Sequence, residues 1–255
     1  MSLVRFRNLA QFCVSRSLTA KMVLAAFLLI GAAWASPLWA RSPVEVVRPA
    51  TPVAADEPSL PRVFLEDFES GAEHWQPLDP THWKVKETAG RRVYSHFVKQ
   101  GKYQPPHRSP VNIALRKDDA VTDFVFTAKV LSTHPDYGHR DAVLVFGYQD
   151  PAHFYYVHLG KQMDDHANQI FIVNGKPRTK ISTTTTAGTP WDDQWHTVRV
   201  ERTTADGAIR VYYDDLQKPV MTATDKTFVW GRVGIGSFDD TTDWDDLELR
   251  GVKHP

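Results

Sequence analysis

The chain has one cysteine, Cys13. No intrachain disulfide can form, so buried apolar surface, with or without a metal ion, must hold the fold together. Neither an HExxH nor a His-x-x-x-His pattern occurs, which argues against zinc. No apolar period of 3.6 residues is sustained across residues 62–252, so a helical domain is not expected. No repeat of 20–50 residues appears, which excludes a solenoid and leaves that stretch as one domain. An excess of one charge is also missing, with 30 Lys plus Arg against 30 Asp plus Glu. Without residues 1–40 the balance is 26 against 30, and a mildly acidic domain is a poor partner for nucleic acid.

The first acidic residue is Glu45, and the basic residues Arg5, Arg7, Arg16 and Lys21 precede an apolar run from Met22 to Ala35. This order is that of an export signal. The run is short for a bilayer span of about 20 residues. Ala33 and Ala35, or Ala40, offer cleavage positions, and an uncleaved signal anchor is the alternative. Cys13 lacks the preceding apolar run of a lipid-attachment cysteine. Residues 1–40 are therefore expected to be a signal peptide or anchor, and the mature protein secreted, periplasmic or exposed on the cell envelope. Membrane contact is expected only through an uncleaved signal. Between residues 41 and 61, Pro43, Pro49, Pro52, Pro58 and Pro61 describe an extended linker.

Residues 62–252 alternate strand and turn signals. Segments 122–131, 142–148, 154–159, 169–173, 196–202, 208–213 and 233–237 are rich in β-branched and aromatic residues. Asn174-Gly175, Asp206-Gly207, the 149–151 turn around Pro151 and the 135–138 turn separate them. The pattern predicts an all-β fold, a two-sheet antiparallel β-sandwich. Val198 with Val200, and Ile209 with Val211, fall on core faces by alternation. Most aromatics are expected to pack in the core. The glycines of 231–236 lie within a strand with no helix after them, so close strand packing explains them better than phosphate binding.

The opening EDFESG at 66–71 and the closing GRVGIGSFDD…WDDLELRG at 231–251 resemble the two ends of concanavalin A-like and laminin G-like jelly rolls. The paired aromatics at 154–156, WDDQWHTVRV at 191–200 and IRVYYDD at 209–215 extend the likeness to laminin G-like modules and to the bacterial 3-keto-disaccharide hydrolase group. The resemblance implies that the first and last strands lie side by side, often with a shared calcium ion. It is specific for the sandwich and weak for activity. The paired carboxylates of β-glucan hydrolases, the arginine, histidine and tyrosine strands of alginate lyases, and the asparagine and glutamate strands of the keto-disaccharide group are all missing.

Alternation would place Phe154, Tyr156 and His158 on one strand face, near Tyr148 and Asn168. Aromatic rings beside hydrogen-bonding side chains suit a glycan. The same region offers catalytic candidates. His158 would be a base and Tyr156 an acid, with His139, Arg140 or His166 as cationic partners. For calcium, Asp239, Asp240, Asp243, Asp245 and Asp246 supply oxygens, and Glu66, Asp67 and Glu69 approach if the terminal strands pair. The sequence thus points to a glycan-binding module with a structural calcium ion. The alternatives are a glycan hydrolase or lyase on the same face, or a protein-binding adhesion module.

Overall fold

The computed structural model describes residues 60–99 and 101–255. The signal segment and nearly all of the Pro-rich linker lie outside the described residues. Fifteen strands run in order β1 (Arg62–Glu66), β2 (Trp75–Pro77), β3 (Trp83–Thr88), β4 (Arg91–His96), β5 (Asn112–Ser132), β6 (Asp141–Asp150), β7 (His153–Gly160) and β8 (Gln169–Asn174). They continue with β9 (Thr179–Lys180), β10 (Ser182–Thr184), β11 (His196–Thr203), β12 (Ala208–Tyr213), β13 (Met221–Thr224), β14 (Gly231–Ser237) and β15 (Thr242–Lys253). Every pairing between them is antiparallel.

One 21-residue strand, β5, belongs to two layers. Its first half pairs with β2 and β14, and β14 leads on through β6, β7 and β8 to β9, forming a front layer. Its second half pairs with β11 on one side and β15 on the other. β11 continues through β12 and β13 to β10, and β15 to β4, β3 and β1, forming a back layer. The charged run Arg116–Asp119 falls where the register of β5 against β14 shifts.

Alternation then assigns each side chain. Phe126, Ala128 and Val130 of β5, Leu144 and Phe146 of β6, Tyr155 and Val157 of β7, and Val198 and Val200 of β11 fill the main core between the layers. The intervening residues of the front layer, among them Val143, Val145, Phe154, Tyr156 and Phe171, form a second apolar cluster on its outer face. Leu78 lies against that cluster, and residues 101–111 are tied to neighbouring segments. Arg178 N donates to Arg108 O at 3.1 Å, and Lys102 N donates to Asp79 Oδ2 at 2.6 Å.

The terminal strands lie side by side as expected, with Phe64 opposite Leu249 and Glu66 opposite Leu247. The opening strand stops at Glu66 rather than running to Gly71, because Phe68 takes a left-handed φ of 57° and turns its ring into the core. The glycines of β14 do serve close packing. A Cβ on Gly236 would stand 1.8 Å from the Asn112 carbonyl oxygen. His96, at the end of β4, has no exposed surface and packs 5.1 Å from the Trp83 ring. Neither of its ring nitrogens finds a partner among the described residues, and burial pushes its pKa down to about 4.

Candidate functional site

The antiparallel register of β6, β7 and β8 sets Val143 opposite His158 and His158 opposite Gln169. Asp141, two residues before Val143, therefore shares the outer face of the front layer with His158. Their closest approach, Oδ2 to Nε2, is 3.5 Å. The other oxygen of Asp141 accepts from Phe238 N at 2.8 Å, which fixes the carboxylate. His158 Nδ1 lies 2.9 Å from the carbonyl oxygen of His166. A carbonyl only accepts, so Nδ1 carries a hydrogen, and Nε2 is the nitrogen free to exchange a proton or meet a ligand. Nε2 is buried and has no hydrogen-bond partner.

A cleft of about 220 Å³ opens beside this pair. His139 and Asp239 enter it from the loops flanking β6 and β14, Asp164 and His166 from the loop before β8, and Arg108 and Arg178 from the opposite rim. Partial desolvation, reinforced by Asp141, raises the Asp239 carboxyl above its ordinary range. Phe238 is held between partners, with His158 stacked at 5.7 Å and the Arg178 guanidinium 4.3 Å from its centroid. Arg178 also donates to Tyr156 Oη at 2.8 Å, while its Nε is buried without a partner. Beneath the cleft, Asp240 is fully buried and accepts from Asp141 N at 2.9 Å and Tyr137 Oη at 2.7 Å. The cleft is thus a polar mouth with carboxylates, imidazoles and guanidiniums around a fixed ring, suited to hydroxyl recognition and proton exchange.

His139, His158 and His166 come together as expected, but the aromatic sugar face does not. Tyr148, Phe154 and Tyr156 share one face with His158, yet they are 3%, 1% and 0% exposed, buried in the second apolar cluster with Leu78 packed against it. Tyr155, on the other face, is equally buried. Tyr156 makes a poor acid, since burial lifts its phenol well above the ordinary range. Arg140 points away from the cleft; fully buried, it donates to Ser132 O at 2.6 Å and to Asp193 at 2.9 Å. Asn168 is a loop brace. At φ 54°, it donates to Thr186 O at 3.0 Å and accepts from Thr189 Oγ1 at 2.9 Å. Asp141, Asp164, Arg108, Arg178 and Phe238 also line the cleft, and none was singled out as a site residue from the sequence. Only Asp141 carried a signal, by its alternation with Val143 and Val145.

The carboxylates expected to bind calcium near the paired ends are engaged by other groups. Glu66 takes the Trp75 indole N–H at 3.3 Å and Arg116 at 3.4 Å. Asp67 caps Glu69 N at 3.1 Å, and Glu69 accepts from Arg92 N at 3.0 Å. Arg91 bridges Asp245 at 3.0 Å and Asp246 at 2.8 Å, and Lys86 holds Asp243 at 2.8 Å. Among the described residues no three acidic or imidazole groups converge to hold a metal. A guanidinium sits where the cation would have to be, so these residues do not fit calcium.

No family model and no curated protein sequence matches this chain. Solved structures do resemble it. The carbohydrate binding module CBM66 from Bacillus subtilis aligns over 70% of this chain and 96% of its own, at 16% identity and a TM-score of 0.50. A protein of unknown function with galectin-like fold, also from Bacillus subtilis, aligns over 77% of this chain and 99% of its own, at 9% identity and a TM-score of 0.51. The GH43 BlXynB protein from Bacillus licheniformis aligns over 73% of this chain and 39% of its own, at 14% identity and a TM-score of 0.50. At such identities the likeness is one of fold. The described domain is an antiparallel β-sandwich of the concanavalin A-like jelly-roll type.

Proposed function

We propose that the protein is an exported glycan-binding module whose ligand enters the cleft between His158 and Arg178. The observation that carries the reading is the pair of buried nitrogens, His158 Nε2 and Arg178 Nε, which lack partners at the edge of a polar cleft. Such groups cost free energy unless a ligand or water meets them, and sugar hydroxyls both donate and accept. The solved relatives named for carbohydrate binding or glycoside hydrolysis share the fold, which makes this ligand class the natural one to test. Export rests on the basic and apolar order of residues 1–40.

One feature favours glycan processing as a second reading. The Asp141–His158 pair can pass a proton, and Asp239 holds its proton to higher pH than an ordinary carboxylate. A glycan-array screen of the full chain, followed by product analysis on every glycan bound, separates the two. Loss of binding to at least one glycan in Arg178→Ala, without turnover, supports the module. Released or unsaturated sugars establish an enzyme. A silent array with a folded protein overturns both.

A further inference from the structure

The outer face of the back layer carries a second cleft, larger than the first and unrelated to it in residues. It measures about 400 Å³, within the range of small-molecule sites of about 300–1,000 Å³. The main core lies between the two layers, so this cleft and the His158 cleft open on opposite sides of the sandwich.

Alternation builds it strand by strand. Tyr94, Trp244 and Val130 point into the core, so Val93, Asp245 and Lys129 point outward from β4, β15 and β5. Asp245 stands opposite Lys129 in register. At one end stands Trp195, just before β11, with a large, partly exposed indole on a surface where such rings are few. Arg91 and Asp246 close the other side.

The charges select the kind of ligand. Arg91 is held by Asp245 at 3.0 Å and Asp246 at 2.8 Å, and the Lys129 ammonium donates to Thr197 Oγ1 at 2.8 Å. Two cations and two carboxylates leave the cleft formally neutral, so it favours neither an anion nor a cation. The carboxylates retain lone pairs beyond those given to Arg91 and to Asp246 N, the latter at 2.8 Å. A flat apolar ring, an apolar floor at Val93 and acceptors already charge-balanced suit an uncharged polyol with an apolar face. A pyranose has both: its C–H face lies on an indole while its hydroxyls donate to carboxylates.

We propose that the Trp195 cleft is a second carbohydrate site, taking one or two neutral pyranose rings stacked on Trp195 and bonded to Asp245 and Asp246. The choice of ligand class draws on the glycan reading above, but the site shares no residue with the His158 cleft. Two such sites on opposite sides would let one domain bridge two glycan chains.

The test is a titration of the full chain, with its tryptophan indoles labelled with nitrogen-15, against methyl β-D-glucopyranoside, methyl β-D-galactopyranoside, methyl β-D-xylopyranoside and methyl α-D-mannopyranoside. Concentrations reach about 20 mM, suited to the weak affinity of single rings. Trp195→Phe identifies the Trp195 signal. At least one glycoside should shift it saturably; calorimetric titration with that glycoside, which does not need the indole reporter, should show binding about tenfold weaker in Trp195→Ala and less weakened in Trp195→Phe. Arg178→Ala, which empties the other cleft, should leave the Trp195 shift intact. A Trp195 signal unmoved by all four glycosides overturns the proposal, as does a shift that disappears in Arg178→Ala. A silent array with a shifting Trp195 would remove the first cleft and keep the second.

Discussion

Replacing His96 with Phe should flatten the acid sensitivity of the fold. The imidazole is fully buried against Trp83, both ring nitrogens lack partners, and burial takes its pKa from 6.5 to about 4. The folded state holds this proton less tightly than the unfolded chain. The stabilisation is therefore complete above pH 6.5, lost as pH falls from there to about 4, and constant below. Between pH 7.5 and pH 4.5 the linkage amounts to roughly 2–3 kcal/mol. Asp245 works in the opposite sense. Burial, with Asp246 and Glu69 nearby, raises its carboxyl from 3.8 to about 6, so its stabilisation is present below 3.8 and lost as pH rises through 6. The two partly cancel in the parent protein, so the variant must be compared with the parent at each pH. Phe keeps the aromatic contact and forfeits no hydrogen bond. Urea unfolding followed by tryptophan fluorescence should give a parent that loses roughly 2–3 kcal/mol more than His96→Phe on going from pH 7.5 to pH 4.5. Equal losses in the two proteins would refute the argument that His96 is buried uncharged.

Asp245→Asn should remove the opposing slope, and urea unfolding of that variant should rise more steeply in stability from pH 4 to pH 7 than the parent. Gly236→Ala drives a Cβ into the Asn112 carbonyl and should cost more than about 3 kcal/mol, read as a lowered urea midpoint or loss of soluble protein. Arg140→Ala strands Ser132 and leaves a cavity, so unfolding should show a loss of about 3 kcal/mol with glycan affinity unchanged at the temperature where the variant is folded. Because Arg91, Arg116 and Lys86 pair with carboxylates near the joined ends, chelator should leave the thermal midpoint and the array pattern unchanged; a fall of several degrees would reinstate a structural cation.

The sandwich was legible because its central strands are strongly patterned. β6, β7, β8, β11, β12 and β14 all contain the segments read from β-branched and aromatic runs. The strands that were missed are of two kinds. β2, β9, β10 and β13 are four residues or fewer, too short to show a period, and the first half of β5 is hidden by the charged Arg116–Asp119. β3 and β4 did carry an alternation, Trp83 with Val85 and Val93 with Ser95, joined through Ala89-Gly90 at positive φ. For the site, alternation found the face of His158 correctly. It could not reveal that the aromatic part of that face is buried in an apolar cluster, with Leu78 packed against it from a segment far away in sequence. Arg108 and Arg178 reach the cleft from segments 70 residues apart in sequence, a convergence only the tertiary fold creates. Acidic spacing likewise does not show that Lys86 of β3 and Arg91 of β4 reach Asp243, Asp245 and Asp246.

β15 is the last strand in the chain and a central one in its layer, paired to β1 and β4 on one side and β5 on the other. Until it docks, β5 presents a bare edge along its second half, and the Phe64–Leu249 pairing cannot close. Residues as far apart as Arg62 and Lys253 must therefore both be available before the back layer forms, a non-local order of events that makes for slow folding. With no disulfide to hold partly formed layers, a chain cut short before Thr242 should expose that edge and self-associate rather than fold to a smaller domain.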